Sequence, residues 1–276
     1  VSLLSVNQLL AVLSRDYVAA VSRSTGLINR QFDQKSIFFS QPVGVVNEQM
    51  PIWSVMISQF DDMLASMQIK PKSQLHITLA SCFIRYMALP PLLMPMSQAE
   101  KLAYATATYR ETYGAVVDEW EIKLRDTPIG HATIVAAVDK KLLDTLRQIA
   151  LKHQLKMTSV QPYVMTVFNR LSRSIGQVSG YLVIVECNRL LLIDLEKGAC
   201  QHLRTFTLGS DWQAELNSIL MRERLLTERS YRQVLVYAPK QMHVEMHDIK
   251  EWQLKRISLP KNKLVDHRIA MLEVLL

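Results

Sequence analysis

His243 and His247 in "HVEMH" have the i,i+4 spacing with which a helix offers two imidazoles to one metal ion, and Glu245 lies between them. The run is not HExxH and nothing in the chain nominates a third ligand, so surface histidines on a strand or loop are the better reading. His76, His131 and His153 are isolated from one another. Cys82 follows His76 by six positions, which along one strand is roughly 20 Å, too far for a local nucleophile–base contact. Among the acids, Asp61 and Asp62 fall on the polar side of an apolar helix, where solvated surface is the expectation. Glu186 and Asp194 differ, because each ends or interrupts an apolar strand. Alternation leaves open whether they converge across a hairpin turn at 187–188 or face solvent.

Phosphate chemistry needs backbone amides brought close to charged oxygens, and glycine is what permits that approach. The chain has eight glycines in 276 residues and neither GxxxxGK[ST] nor GxGxxG. Nucleotide binding by those two devices is not expected. The net charge of +7 is spread among 25 acidic residues rather than gathered into a basic stripe with aromatics. That supports weak attraction to an anionic surface, and a nucleic-acid-binding α/β module is kept only as an alternative.

The elements that must position these residues follow from periodicity. With 49% hydrophobic residues the chain can bury one large core or two domains. Residues 16–24 and 36–46 read as strands, and 50–67 as a helix with Trp53, Met56, Ile57, Phe60, Met63 and Leu64 on one face. "LHITLASCFIRYMALPP", 75–91, reads as sheet that stops at Pro90 and Pro91, with Arg85 as its one charge. A helix at 96–114 carries the capping-box pair Ser97 and Glu100. Strands at 117–125 and 130–138, a helix at 139–154, a strand at 155–162 and a helix from 163 complete a first unit. Strands at 181–186, 189–195 and 201–208, a helix at 210–227 and a strand at 231–239 form a second, smaller one. Cys82, Cys187 and Cys200 are too scattered for a disulfide framework, which fits a cytosolic chain. No run has the length of a membrane helix, and the opening "VSLLSVNQLLAVLSRD" lacks a basic segment before its apolar part; since it begins on valine, a preceding segment is left open.

This order, with "CFIRYMALPP", "AEKLAYATATYRETYG", "HATIVAAVDKKLLDTLRQIALKHQLKMTSVQPYVMTVFNRL" and "GSDWQAEL", resembles the actin-like proteins of type IV pilus and type II secretion inner-membrane platforms, the PilM and GspL cytoplasmic domains. The resemblance implies an α/β actin-like ATPase fold of two ribonuclease-H-like domains around a cleft, 1–176 and a reduced or degenerate 177–276. Active members of that superfamily bind Mg-ATP in the cleft. The segment matching their first phosphate loop is "YVAAVSRSTG", with Ser22 and Arg23 where Asp and Gly are expected. The second is "YLVIVECNRL", with Glu186, Cys187 and Asn188, which keeps an acid and lacks the glycine. Where ATP binders have a strand followed by "GG", this chain has Ala238, Pro239 and Lys240.

All three departures favour a non-catalytic member without cofactor over an ATP-binding ATPase of the same machinery. If Mg-ATP binds, Ser22, Arg23, Glu186 and Asn188 are the candidate contacts. The resemblance further implies a scaffold that binds the cytoplasmic segment of an inner-membrane pilus or secretion protein, with a secretion ATPase and a second copy as further partners and no nucleic acid. It would lie in the cytoplasm, attached peripherally through partners. Arg85 is expected either to snorkel or pair at a sheet edge, or to place the Pro90 and Pro91 bend at a protein-binding surface.

Overall fold

The computed structural model describes residues 6–25, 32–38, 51–91, 94–125, 131–186, 188–209, 211–227, 231–241, 245–246, 248–249, 251–259 and 267–275. The chain opens with β1 (Val6–Leu13), β2 (Tyr17–Thr25) and β3 (Phe32–Phe38), then α1 (Ser54–Ala65) and β4 (Gln74–Leu79). β1 is a strand that the sequence reading does not place. It is the central strand of its sheet, with Leu9 to Leu13 all buried, so its letters run apolar without the alternation that marks a half-exposed strand.

The stretch 75–91 is two strands in two sheets rather than one. β4 stops at Leu79, a short 3-10 turn covers Ser81–Phe83, and β5 (Ile84–Leu89) starts a separate layer. No glycine or proline marks the break. It is held from outside, by the Ala80 amide donating to the Leu13 carbonyl at 2.9 Å and by Ser81 reaching the far half of the molecule. β5 then joins α2 (Gln98–Tyr113), β6 (Trp120–Leu124) and β7 (Thr133–Asp139) in a three-stranded sheet ordered β5-β7-β6. α2 is stopped at its start by a formed capping box between Ser97 and Glu100. Tyr109 of α2 donates its hydroxyl to the Arg85 carbonyl at 2.8 Å, which fastens helix to sheet.

After this insertion, α3 (Lys140–Lys152) leads to β8 (Lys156–Pro162) and α4 (Tyr163–Ile175). The first large sheet is ordered β3-β2-β1-β4-β8, with β2 antiparallel to β1 and β3, and with β4 and β8 parallel to β1. The same order then recurs. β9 (Gly180–Val185), β10 (Arg189–Glu196), β11 (Ala199–Thr207), α5 (Trp212–Thr227), β12 (Gln233–Tyr237) and β13 (Gln253–Arg256) give a sheet β11-β10-β9-β12-β13 with the same directions. The second unit is thus complete in its five strands; among the described residues its reduction lies in its helices, where α5 stands alone.

The core runs through both units. One face of the second sheet, with Leu182, Ile184, Leu191, Ile193 and Tyr237, joins the same cluster as α1, α3 and α4. Its other face packs against Trp212, Leu216, Ile219 and Leu220 of α5. The C-terminal 3-10 segment His267–Leu275 returns to the first unit: Met271, Leu272 and Val274 enter the shared cluster, and the Val274 carbonyl accepts Arg170 Nε at 3.0 Å. Residues that follow the second sheet in the chain therefore pack in part with the first. No helix among the described residues is long and apolar enough to cross a membrane.

Candidate functional site

Among the described residues, two places bear on function. The first is where the two large sheets meet at their hairpin turns. Because the sheets share one topology, the β1–β2 turn (Ser14 to Asp16) corresponds to the β9–β10 turn (Glu186 to Asn188), and the loop after β4 corresponds to the loop after β12.

At the β1–β2 turn the Ser14 amide donates to the Tyr17 carbonyl at 2.9 Å, and the Ser14 hydroxyl donates to Asp16 Oδ1 at 2.6 Å. Asp16 Oδ2 takes a hydrogen bond from Lys240 Nζ, which comes from the loop after β12. That ammonium also lies 4.8 Å from the centre of the Tyr17 ring, a cation–π contact. Across the junction, buried Glu186 accepts the Ser81 amide on Oε2 at 2.8 Å and the Ser81 hydroxyl on Oε1 at 2.5 Å. Burial pushes the Glu186 carboxyl up to about 7; the Ser81 bonds and the Arg189 charge oppose the rise, and Asp16 adds to it. The neighbouring Cys82 thiol is pushed up to about 12, first by burial and then by Glu186, so it is a buried thiol rather than a poised nucleophile.

The junction thus holds acids, each satisfied by groups of the protein. A polyphosphate there would have to displace Lys240 from Asp16 and meet the Glu186 carboxyl, while no run of glycine amides lines either turn. Ser22 and Arg23 are not at this place. They sit well along β2, paired with Leu9 and Gln8 of β1, and Arg23 Nε donates to Gln8 Oε1 at 2.8 Å. The segment expected as a phosphate loop therefore falls within β2, one strand away from the β1–β2 turn, because the sequence reading has no β1 before it. Asn188 does lie in the β9–β10 turn, where its carbonyl accepts the Leu208 amide at 2.8 Å. Cys187, His243 and His247 lie outside the described residues, and the described ones include no group of three or more metal-ligating side chains.

The second place is a groove of about 280 Å³ between the edge of β8 and the inserted sheet. β8 is last in its sheet, so the described residues supply no strand beyond it. Met157 to Pro162 form one wall; Ile84, Ala136 and Val138 of the inserted sheet form the other, and Leu143 of α3 closes one side. The rim carries Glu121, Lys123 and Arg147, with Arg147 bonded to Asp144 at 2.5 Å. The sequence reading does not find this groove, since it arises from a sheet inserted between β4 and β8. The one local signal is β8 itself, whose "KMTSVQP" mixes polar letters with apolar ones and ends on a proline, in the manner of an edge.

Arg85, Pro90 and Pro91 stand elsewhere. In β5 the residues that face the groove side are Ile84, Tyr86 and Ala88, whereas Arg85, Met87 and Leu89 alternate to the α2 side with Tyr109 and Val135. The Arg85 side chain is exposed, and Pro90 and Pro91 follow as exposed residues at the end of the strand.

A doubled five-stranded sheet of order 3-2-1-4-5, with opposed hairpin turns and a shared core between the sheets, defines an actin-like α/β fold. Solved structures agree. The chain is similar to the cytoplasmic domain of EpsL, an inner-membrane component of the Vibrio cholerae type II secretion system, with a TM-score of 0.57, 9% identity, and coverage of 98% of this chain and 94% of that one. It is similar to a PilM–PilN type IV pilus biogenesis complex chain, with a TM-score of 0.58, 12% identity, and coverage of 84% and 81%. A protein of actin-like ATPase fold and unknown function from Bacteroides thetaiotaomicron aligns with a TM-score of 0.54 and 13% identity over 84% of this chain and 81% of that one. No protein-family model matches the chain, and no curated protein matches it by sequence.

Proposed function

We propose that this chain is a non-catalytic assembly protein of a type IV pilus or type II secretion platform, which holds an extended cytoplasmic segment of an inner-membrane partner in the groove beside β8. The observation that carries the reading is the open edge of β8 facing an apolar wall from a second sheet. An unpaired strand edge offers backbone donors and acceptors in register, and a segment laid against it gains a ladder while its alternate side chains enter the groove. The wall residues Ile84, Ala136, Val138 and Leu143 suit apolar anchors, and the charged rim suits polar flanks. Two of the similar structures come from such platforms, one of them as a complex with a partner. The hairpin junction supports the non-catalytic part of the reading, because its acids are bound to Ser81 and Lys240. On this reading the protein works in the cytoplasm and reaches the inner membrane through its partner.

The test is titration of the chain with synthetic peptides covering the cytoplasmic segments of the inner-membrane proteins encoded beside it. Saturable binding of one segment, with chemical shifts moving at Ala136, Val138 and Ser159, is the expected result. Absence of binding by all segments, or shifts confined to another surface, overturns the groove. Saturable heat on adding micromolar Mg-ATP would overturn the non-catalytic reading separately.

A further inference from the structure

The two ties at the hairpin junction are related by the internal repeat. In the first half, the acid at the β1–β2 turn, Asp16, is held by Lys240 from the loop after the fourth strand of the second half. In the second half, the acid at the β9–β10 turn, Glu186, is held by Ser81 from the loop after the fourth strand of the first. Each half lends its hairpin acid to the equivalent loop of the other. The donor positions correspond, Ser81 to Lys240, while the acids stand at opposite ends of the equivalent turns, Asp16 last in the first and Glu186 first in the second.

We propose that these reciprocal ties form a latch that fixes the two halves as one closed body, so that the chain does not open and close about its cleft. Beneath the latch the halves share a continuous apolar core, including Tyr237 and Ile184 of the second sheet with Phe60, Leu146 and Val167 of the first unit. Opening would break the Lys240–Asp16 ion pair and the Ser81–Glu186 hydrogen bonds at the rim and expose apolar surface below, and both costs act in the same direction. The latch is independent of the groove: loss of partner binding would leave it standing.

Cys82 reports on it. The residue follows Ser81, is buried beside the junction, and becomes reachable when the halves part. Cys200, half-buried on β11 and packed against the shared core, reads parting of the halves at the opposite end of the second sheet. The experiment labels the full chain with N-ethylmaleimide at fixed pH and reads Cys82 and Cys200 in peptides separate from that of Cys187 by mass spectrometry. Lys240→Met keeps the aliphatic stem and removes the charge; Ser81→Ala removes the hydroxyl bond. Each should speed Cys82 labelling about tenfold, the equivalent of one lost hydrogen bond, and by more than it speeds Cys200. An unchanged Cys82 rate in the double variant overturns the latch. If both cysteines speed up together, Lys240→Arg decides: slow labelling restored with the charge supports the tie, and continued fast labelling overturns it.

Discussion

Ser81 and Glu186 stand 105 positions apart, yet the amide and the hydroxyl of the first both donate to the carboxylate of the second, at 2.8 and 2.5 Å. The contact explains why β4 ends where it does and why a buried acid is tolerated. It also makes stability depend on pH. The groups around the carboxyl are Ser81, Arg189 and Asp16, with the buried Cys82, Tyr86 and Tyr163 feeling its charge. Burial raises its pKa from 4.5 to about 7, so the folded chain keeps a proton that the unfolded chain has released. This group's contribution is therefore full below the unfolded value and is lost as pH rises to about 7. Glu186→Gln, which still offers Ser81 an acceptor, should flatten that part of the profile. Urea midpoints measured from roughly pH 5 to 8 on both proteins check it, and an unchanged slope would refute the assignment.

A second buried acid has a stronger partner. Glu223 of α5 is buried and receives both bonds from Arg204 Nη1 of β11, at 2.6 and 2.5 Å. Removing the arginine leaves a carboxylate in the interior without its guanidinium, whereas removing both leaves an apolar contact. With the Arg204 side chain 41% exposed, Arg204→Met should cost about 1 to 2 kcal/mol, and Arg204→Met with Glu223→Met distinctly less. Chemical denaturation of the three proteins gives the comparison; additive losses would show that the pair does not act as a unit.

These contacts mark the limit of what the letters reveal. The faces of α1 and α3 were legible, because Met56, Ile57, Phe60, Met63 and Leu64, and Leu142, Leu143, Leu146, Ile149 and Ala150, recur at helical spacing and are buried. Leu226 fits the same spacing on α5 but is 62% exposed, since the second sheet covers only the earlier turns. Glu186 could be singled out as an acid closing an apolar strand; Ser81 could not, because nothing local distinguishes it. β1 is not legible, since a strand buried on both faces loses its period of two. Without it the letters set the first turn after β2, at Ser22 and Arg23, rather than at Asp16. Only the paired sheets bring Asp16 to Lys240, 224 positions later.

Close approach of strands makes Gly180 hard to replace. A Cβ at this first residue of β9 would stand 2.4 Å from the Gln233 carbonyl oxygen at the start of β12, and backbone cannot yield as a side chain does. Gly180→Ala should lower stability by about 2 to 3 kcal/mol by forcing β9 and β12 apart. Thermal unfolding measures the loss, and a variant as stable as the parent would mean that the strands separate freely there.

The groove and the hairpin junction make separable demands, and three substitutions tell them apart. Ala136 lies on β7 between Tyr86 of β5 and Lys123 of β6, with its side chain lining the groove. Ala136→Arg would fill space that an inserted anchor needs, so affinity for the partner segment should fall tenfold or more. Arg85 alternates to the α2 side of the same sheet, so Arg85→Met should change neither that affinity nor the fold. Lys240→Met should speed Cys82 labelling while leaving the affinity alone, because it acts at the turns. Peptide titration of the three variants distinguishes the outcomes. If Arg85→Met weakened binding while Ala136→Arg did not, the partner would be seated on the α2 face, and the edge of β8 would need another explanation.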